Sequence, residues 1–174
     1  MSELRTALIA LAMGMMVLAT PAADARETLG AFGDWAAFRD PGNDSKCYAV
    51  TAPNQTRASA QNIRRGQAAL SVGIWPGRPG AQVYTAVGFN IDPTKPVTLK
   101  IGSRSFTLLP DGESAWAENA AADEAIINAL RQGIVAEVTS TSTRGTQITD
   151  RYSLKGISAA IDAARSACSG KNAG

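Results

Sequence analysis

The chain predicts an all-β domain, a sandwich or a barrel, and three observations carry that prediction. About eight short runs alternate apolar with small or polar residues, the period-two pattern of strands buried on one face. Breaks rich in proline and glycine separate them: Asp40-Pro41-Gly42-Asn43-Asp44, Trp75-Pro76-Gly77-Arg78-Pro79-Gly80 and Pro110-Asp111-Gly112. Length and composition agree, since 174 residues with 45% hydrophobic and 18% charged content suit one globular domain. The 16 glycines and 8 prolines follow no fixed period, which excludes collagen-like and repeat architectures.

Residues 1–25 stand apart from that domain. Arg5 gives a basic start, Ala7–Ala19 is an uncharged apolar run, Pro21 breaks it, and Ala23-Asp24-Ala25 has the small residues of a signal-peptidase site. A membrane span needs about 20 apolar residues, more than this run supplies. The segment therefore reads as a secretory signal cleaved after Ala25, with no membrane anchor left behind. Its loss removes one basic and two acidic residues, so the net charge rises from +2 to +3.

The strands follow in order. Trp35–Phe38 and Cys47–Val50 are short first candidates. Leu70, Val72 and Ile74 alternate with Ser71 and Gly73, and Val83, Thr85, Val87 and Phe89 repeat the pattern. Val97, Leu99 and Ile101 form the next set, and Phe106 with Leu108 continues after the Gly102-Ser103 turn. Ile134, Ala136 and Val138 make another, and Thr146 with Ile148 the last. Two segments change period. Ala120–Arg131 has helical spacing, with Gly133 placed to end it. From Ser158 to Cys168, a stripe of Ile157, Ile161, Ala164 and Cys168 occupies one helical face. The domain then spans 26–168, and 169–174 is a small, polar tail.

Little of this sequence carries chemistry. A net charge of +2 with interspersed signs is too small for nucleic-acid binding through counterion release. The chain has no histidine, which excludes Ser-His-Asp and Cys-His catalysis and histidine metal sites. No G-x-S-x-G, S-x-x-K, phosphate loop or dinucleotide fingerprint occurs. Asp40 and Asp44 sit in an ordinary Pro-Gly turn without EF-hand order, so no metal or cofactor is expected. Asp34, Glu137 and Asp150 are the carboxylates a glycoside hydrolase would draw on, but their spacing brings no two together. Cys47 and Cys168 form an even pair in an exported chain and read as a disulfide, since a redox pair usually has C-x-x-C spacing. Trp75 falls on the face opposite Leu70, Val72 and Ile74, just before a rigid loop that carries Arg78, and is the best contact residue. Arg64, Arg65, Lys100 and Arg104 read as a solvated basic surface.

Three blocks together resemble a known family. They are Phe32-Gly33-Asp34-Trp35 with Lys46-Cys47-Tyr48-Ala49-Val50, then Val83–Phe89 with Ser105-Phe106-Thr107-Leu108, then Arg144-Gly145-Thr146, Asp150, Tyr152-Ser153-Leu154 and Gly156 running into the helix that ends at Cys168. In this combination the chain resembles the invasion-associated locus B family of exported bacterial proteins, over nearly all of the mature part. The resemblance implies an immunoglobulin-like β-sandwich, here of about eight strands with one short internal helix and a C-terminal helix. It also implies a periplasmic, outer-membrane-associated or secreted protein named for host-cell invasion, with no established enzymatic activity. Within the blocks, Trp35 and Tyr48 read as core aromatics and Gly145 and Gly156 as turn glycines. Arg144 and Asp150 pair across a hairpin or join Trp75 and Arg78 as a recognition surface. The expected function is non-enzymatic binding or envelope support, with an envelope or host-surface protein as partner and no nucleic acid. The alternatives are a carboxylate-using hydrolase or carbohydrate-active protein, and an envelope chaperone or inhibitor that adds an edge strand to its partner.

Overall fold

The computed structural model describes residues 26–42 and 45–169. The expected signal segment with its cleavage point at Ala25, Asp44 of the Pro-Gly turn, and residues 170–174 of the expected tail lie outside them. Eleven strands and two helices follow one another along the described chain. They are β1 (Glu27–Phe32), β2 (Trp35–Arg39), β3 (Cys47–Thr51), β4 (Gln55–Ala58), β5 (Ala69–Ile74), β6 (Gln82–Ala86), β7 (Val97–Ile101), β8 (Arg104–Asp111), β9 (Ser114–Ala117), α1 (Ala120–Gln132), β10 (Val135–Thr141), β11 (Gln147–Ser153) and α2 (Ile157–Ser169).

All strands pair antiparallel in the order β1-β2-β3-β5-β6-β9-β8-β7-β10-β11-β4. The sheet bends back on itself, so the β2-β3-β5-β6 half faces the β7-β10-β11 half. Contacts across the interior show the closure. Trp35 donates its indole N–H to the Ser153 carbonyl at 2.9 Å, and the Asp34 N–H reaches the Lys155 carbonyl just beyond β11 at 3.0 Å. Leu70, Val72, Val83, Leu99, Leu108, Val138 and Tyr152 fill the space between the halves. The result is a sandwich-like all-β fold.

Sequence and structure agree at the eight runs that alternate, which become β2, β3, β5, β6, β7, β8, β10 and β11. The strand count rises to eleven because β1, β4 and β9 lack the alternation. Every residue of β4 is exposed, so no apolar period exists to mark it, and backbone pairing with β11 makes it a strand. Two assignments shift. Ile134 is 85% exposed in the turn before β10, whereas Ala136 and Val138 are buried. Phe89 lies beyond the end of β6.

Both helices cover the interior side of the sheet. Asn119 caps α1, its side chain accepting the Ala122 N–H at 3.0 Å. Gly133 ends α1 with a negative φ of −83°, so it is no left-handed cap. Glycine is needed there for space: a Cβ would come within 2.6 Å of Ile101 Cγ2 and 2.8 Å of Leu154 Cδ1. In α2 the predicted stripe is the buried face: Ile157, Ile161, Ala164 and Cys168 all face the core. Cys168 is bonded to Cys47 on β3, with Cα atoms 5.9 Å apart and the two cysteines 121 positions apart in sequence. Arg39 on β2 donates to the Ala167 carbonyl at 2.5 Å, satisfying one of the free carbonyls at the helix end. Ser169, placed in the tail by the sequence reading, is the last residue of α2.

Candidate functional site

The β5–β6 loop and the two helices enclose two adjoining hollows of about 590 and 740 Å³. Trp75, Arg78, Pro79, Gly80 and Arg165 line both, so they form one cleft. Its smaller lobe reaches Cys168 at the disulfide, and its larger lobe reaches Gln82, Asp123, Glu124 and Ile127. Trp75 is half-buried at the rim and lies outside the main core cluster. Its ring lies over Gly73, where a Cβ would meet the indole at 2.7 Å. Trp75 and Arg78 therefore line the same cleft.

Asp123 is a cleft residue that no motif marks. It is 6% exposed, and its Oδ1 accepts the Val83 N–H at 2.7 Å, taking the ladder position next to the end of β9. Burial pushes its carboxyl above the usual range, and the Val83 hydrogen bond opposes that rise. Along the helix wall, Arg131 pairs with Asp162 at 2.6 Å and holds that carboxyl below its ordinary value.

Arg144 and Asp150 are not together. Arg144 is exposed in the β10–β11 turn and borders a separate hollow of about 500 Å³ with Arg64, Phe89 and Glu113. Asp150 is 1% exposed, which corrects its place on a recognition surface. Its parity on β11 matches Ile148 and Tyr152, so it points between the sheet halves. Arg65, read from sequence as solvated, is its partner: Nη1 and Nη2 bind the two carboxylate oxygens at 2.5 and 2.6 Å. Thr56 donates to the same carboxylate at 2.6 Å. Hydrogen bonding to Asp150 raises the Arg65 pKa further, against the effect of burial. Nearby, the Tyr152 hydroxyl is buried against Thr85 without a hydrogen bond of full geometry among the described residues. Burial raises its pKa, and the Asp150 charge adds to the rise. The carboxylates considered for hydrolysis also part company, because Glu137 and Asp150 belong to opposite faces of the β10–β11 pair.

The first and third blocks quoted for the family resemblance meet in space. The Gly33 turn docks on the β11–α2 junction, where the Asp34 N–H donates to the Lys155 carbonyl at 3.0 Å. A Cβ on Gly33 would stand 2.7 Å from the same oxygen, and a Cβ on Gly156 would overlap the Phe32 carbonyl oxygen. Trp35 is a core aromatic at 2% exposure. Tyr48 is equally buried at 5%, but it lies outside the main core, on the sheet's outer face.

Among the described residues no helix is long and apolar enough to cross a membrane. No curated protein matches the chain at a significant level. The crystal structure of invasion associated protein b from Bartonella henselae has a similar fold. It has a TM-score of 0.55 at 21% identity, over 80% of this chain and 96% of that one. The sequence profile of the invasion associated locus B (IalB) proteins matches residues 35–165, from the core indole of β2 to the cleft arginine of α2. That span holds the Gly-Asp-Trp turn's docking partner, most of the cleft and the buried Arg65–Asp150 pair, and by it the chain belongs to the invasion associated locus B family.

Proposed function

We propose that this protein is exported with cleavage after Ala25 and acts in the periplasm, at the outer membrane or outside the cell as a binding protein. Its partner is an envelope or host-surface protein, recognised at the Trp75 cleft. One observation carries the reading: Trp75 stands outside the main core at the rim of a cleft that also presents Arg78 and Arg165. A half-exposed indole beside arginines, framed by a proline- and glycine-rich loop, has the character of a contact hot spot. The absence of histidine from the chain and the opposed placement of Glu137 and Asp150 favour recognition over turnover. The family name points to host-cell invasion as the setting.

The test is in-cell photocrosslinking from position 78, with position 139 on the opposite outer face as reference. A single dominant adduct from position 78 that Trp75→Ala removes is the expected result. Equal adducts from both positions would overturn it and return weight to a small-molecule ligand or an enzyme. Mass spectrometry of the exported protein should find Arg26 as its first residue. A deletion strain that enters host cells as well as its parent would remove the invasion role while leaving the binding site untouched.

A further inference from the structure

The ten aromatic residues, three Trp, three Tyr and four Phe, fall into two groups. Phe38, Tyr48, Trp75, Tyr84 and Trp116 all lie outside the main core cluster. Strand register places four of them on one outer face: Tyr48 is opposite Phe38 and Gly73, and Tyr84 is opposite Ser71 and Trp116. The fifth, Trp75, lies over Gly73. Cys47, which holds α2, has the opposite parity to Tyr48, so that helix covers the other side. Ser71 and Gly73 are nevertheless buried, and the Trp75 ring provides the cover over Gly73. Tyr84 and Trp116 stack with centroids 4.5 Å apart and planes 21° apart, and Phe38 and Tyr48 lie at 5.8 Å.

Charge is unevenly placed along this aromatic roof. At its Tyr48 end, Arg26 stands 5.5 Å and Lys46 5.4 Å from the Tyr48 ring centroid. Both cations share the Asp40 carboxylate, so among the described residues two positive charges meet one negative charge there. Beside the stacked pair the face carries Gln82, Ser114 and the 49% exposed Leu109. Exposed aliphatic surface here is small, far from the broad apolar centre that a stable protein interface buries. The outer face of the other sheet half has no such roof: its central row is Thr107, Thr98, Thr139 and Thr149.

We propose that this aromatic face binds an acidic polysaccharide strand. Sugar rings present C–H groups to the electron-rich faces of aromatic rings, while their hydroxyls stay at the rim beside polar side chains such as Gln82 and Ser114. The acidic groups of the strand meet the excess cation at Arg26 and Lys46. This surface adjoins the cleft of the proposed function and shares Trp75 and Gln82 with it, but its working residues Trp116, Tyr84 and Lys46 do not line the cleft.

The test is isothermal titration of the mature protein with oligogalacturonate and heparin oligosaccharides, and with neutral galacto-oligosaccharides of equal length. Saturable binding of at least one acidic oligosaccharide, stronger than the neutral one, is expected. Trp116→Ala should weaken it about tenfold. Lys46→Gln, a change at the partly exposed rim that does not depend on the fold tolerating a lost indole, should bring acidic binding down to the neutral level. Thr139→Ala should leave the affinity unchanged. Failure of both acidic probes to bind overturns the proposal. So does equal binding by Trp116→Ala, or displacement of the oligosaccharide by single-stranded oligonucleotide or anionic phospholipid vesicles. A negative crosslinking result at position 78 leaves this outcome unaffected.

Discussion

The side chains that define the family blocks act on the fold. Gly156 has a φ of +96° and its missing Cβ makes room for the Phe32 carbonyl, so two constraints fall on one residue. Gly156→Ala should lower unfolding free energy by about 3–5 kcal/mol, read from urea midpoints, because strain and backbone overlap act together. A loss below about 1 kcal/mol would mean that the junction relaxes. Asp150 is the second case. Its Arg65 partner has a side chain only 13% exposed, so removing the carboxylate strands a cation in the interior. Asp150→Ala should cost about 3–5 kcal/mol, and the double variant Asp150→Leu with Arg65→Met should recover most of it. A double variant no more stable than the single one would show that the polar network itself carries the stability.

Elements were legible in the sequence wherever one face meets the core. The β5 run Leu70, Val72, Ile74 and the α2 stripe ending at Cys168 show their periods because burial selects apolar residues at those positions. Strand β4, Gln55–Ala58, forms at the sheet's edge through backbone hydrogen bonds to β11, and backbone bonds leave no mark on side-chain hydropathy. Helix α1 carries a functional consequence in Asp123. Its folded pKa is raised above the ordinary 3.8 by burial, so its contribution to stability is full below that value and is lost as pH rises through the raised one. Asp123→Asn keeps an oxygen for the Val83 N–H and removes the titration. The stability of the wild type minus that of Asp123→Asn should therefore fall as pH climbs from about 4 to 7 in urea titrations. A difference flat across that range contradicts the assignment.

For the whole molecule, the disulfide sets how the last helix is held. It closes a loop of 121 residues, and loop-closure entropy for such lengths is worth about 4–5 kcal/mol. Replacing Cys47 and Cys168 together by alanine should lower stability by up to that amount and raise hydrogen exchange in residues 165–169. Exchange that stays at the wild-type level would show that Arg39 and the apolar stripe suffice to dock α2. The cleft depends on the same attachment, since Arg165 and Cys168 form its wall.

By itself the sequence determined the all-β class, the two helices and the pairing of Cys47 with Cys168, because each follows from local period or from residue type. The tertiary structure decided which distant residues meet. Arg65 and Asp150, 85 residues apart, became a buried pair and not a surface patch. The aromatic roof arose only when the register of β2, β3, β5, β6 and β9 aligned five rings that lie between positions 38 and 116. Register is a property of pairs of strands, set by how the whole sheet closes over its core, and no single segment encodes it.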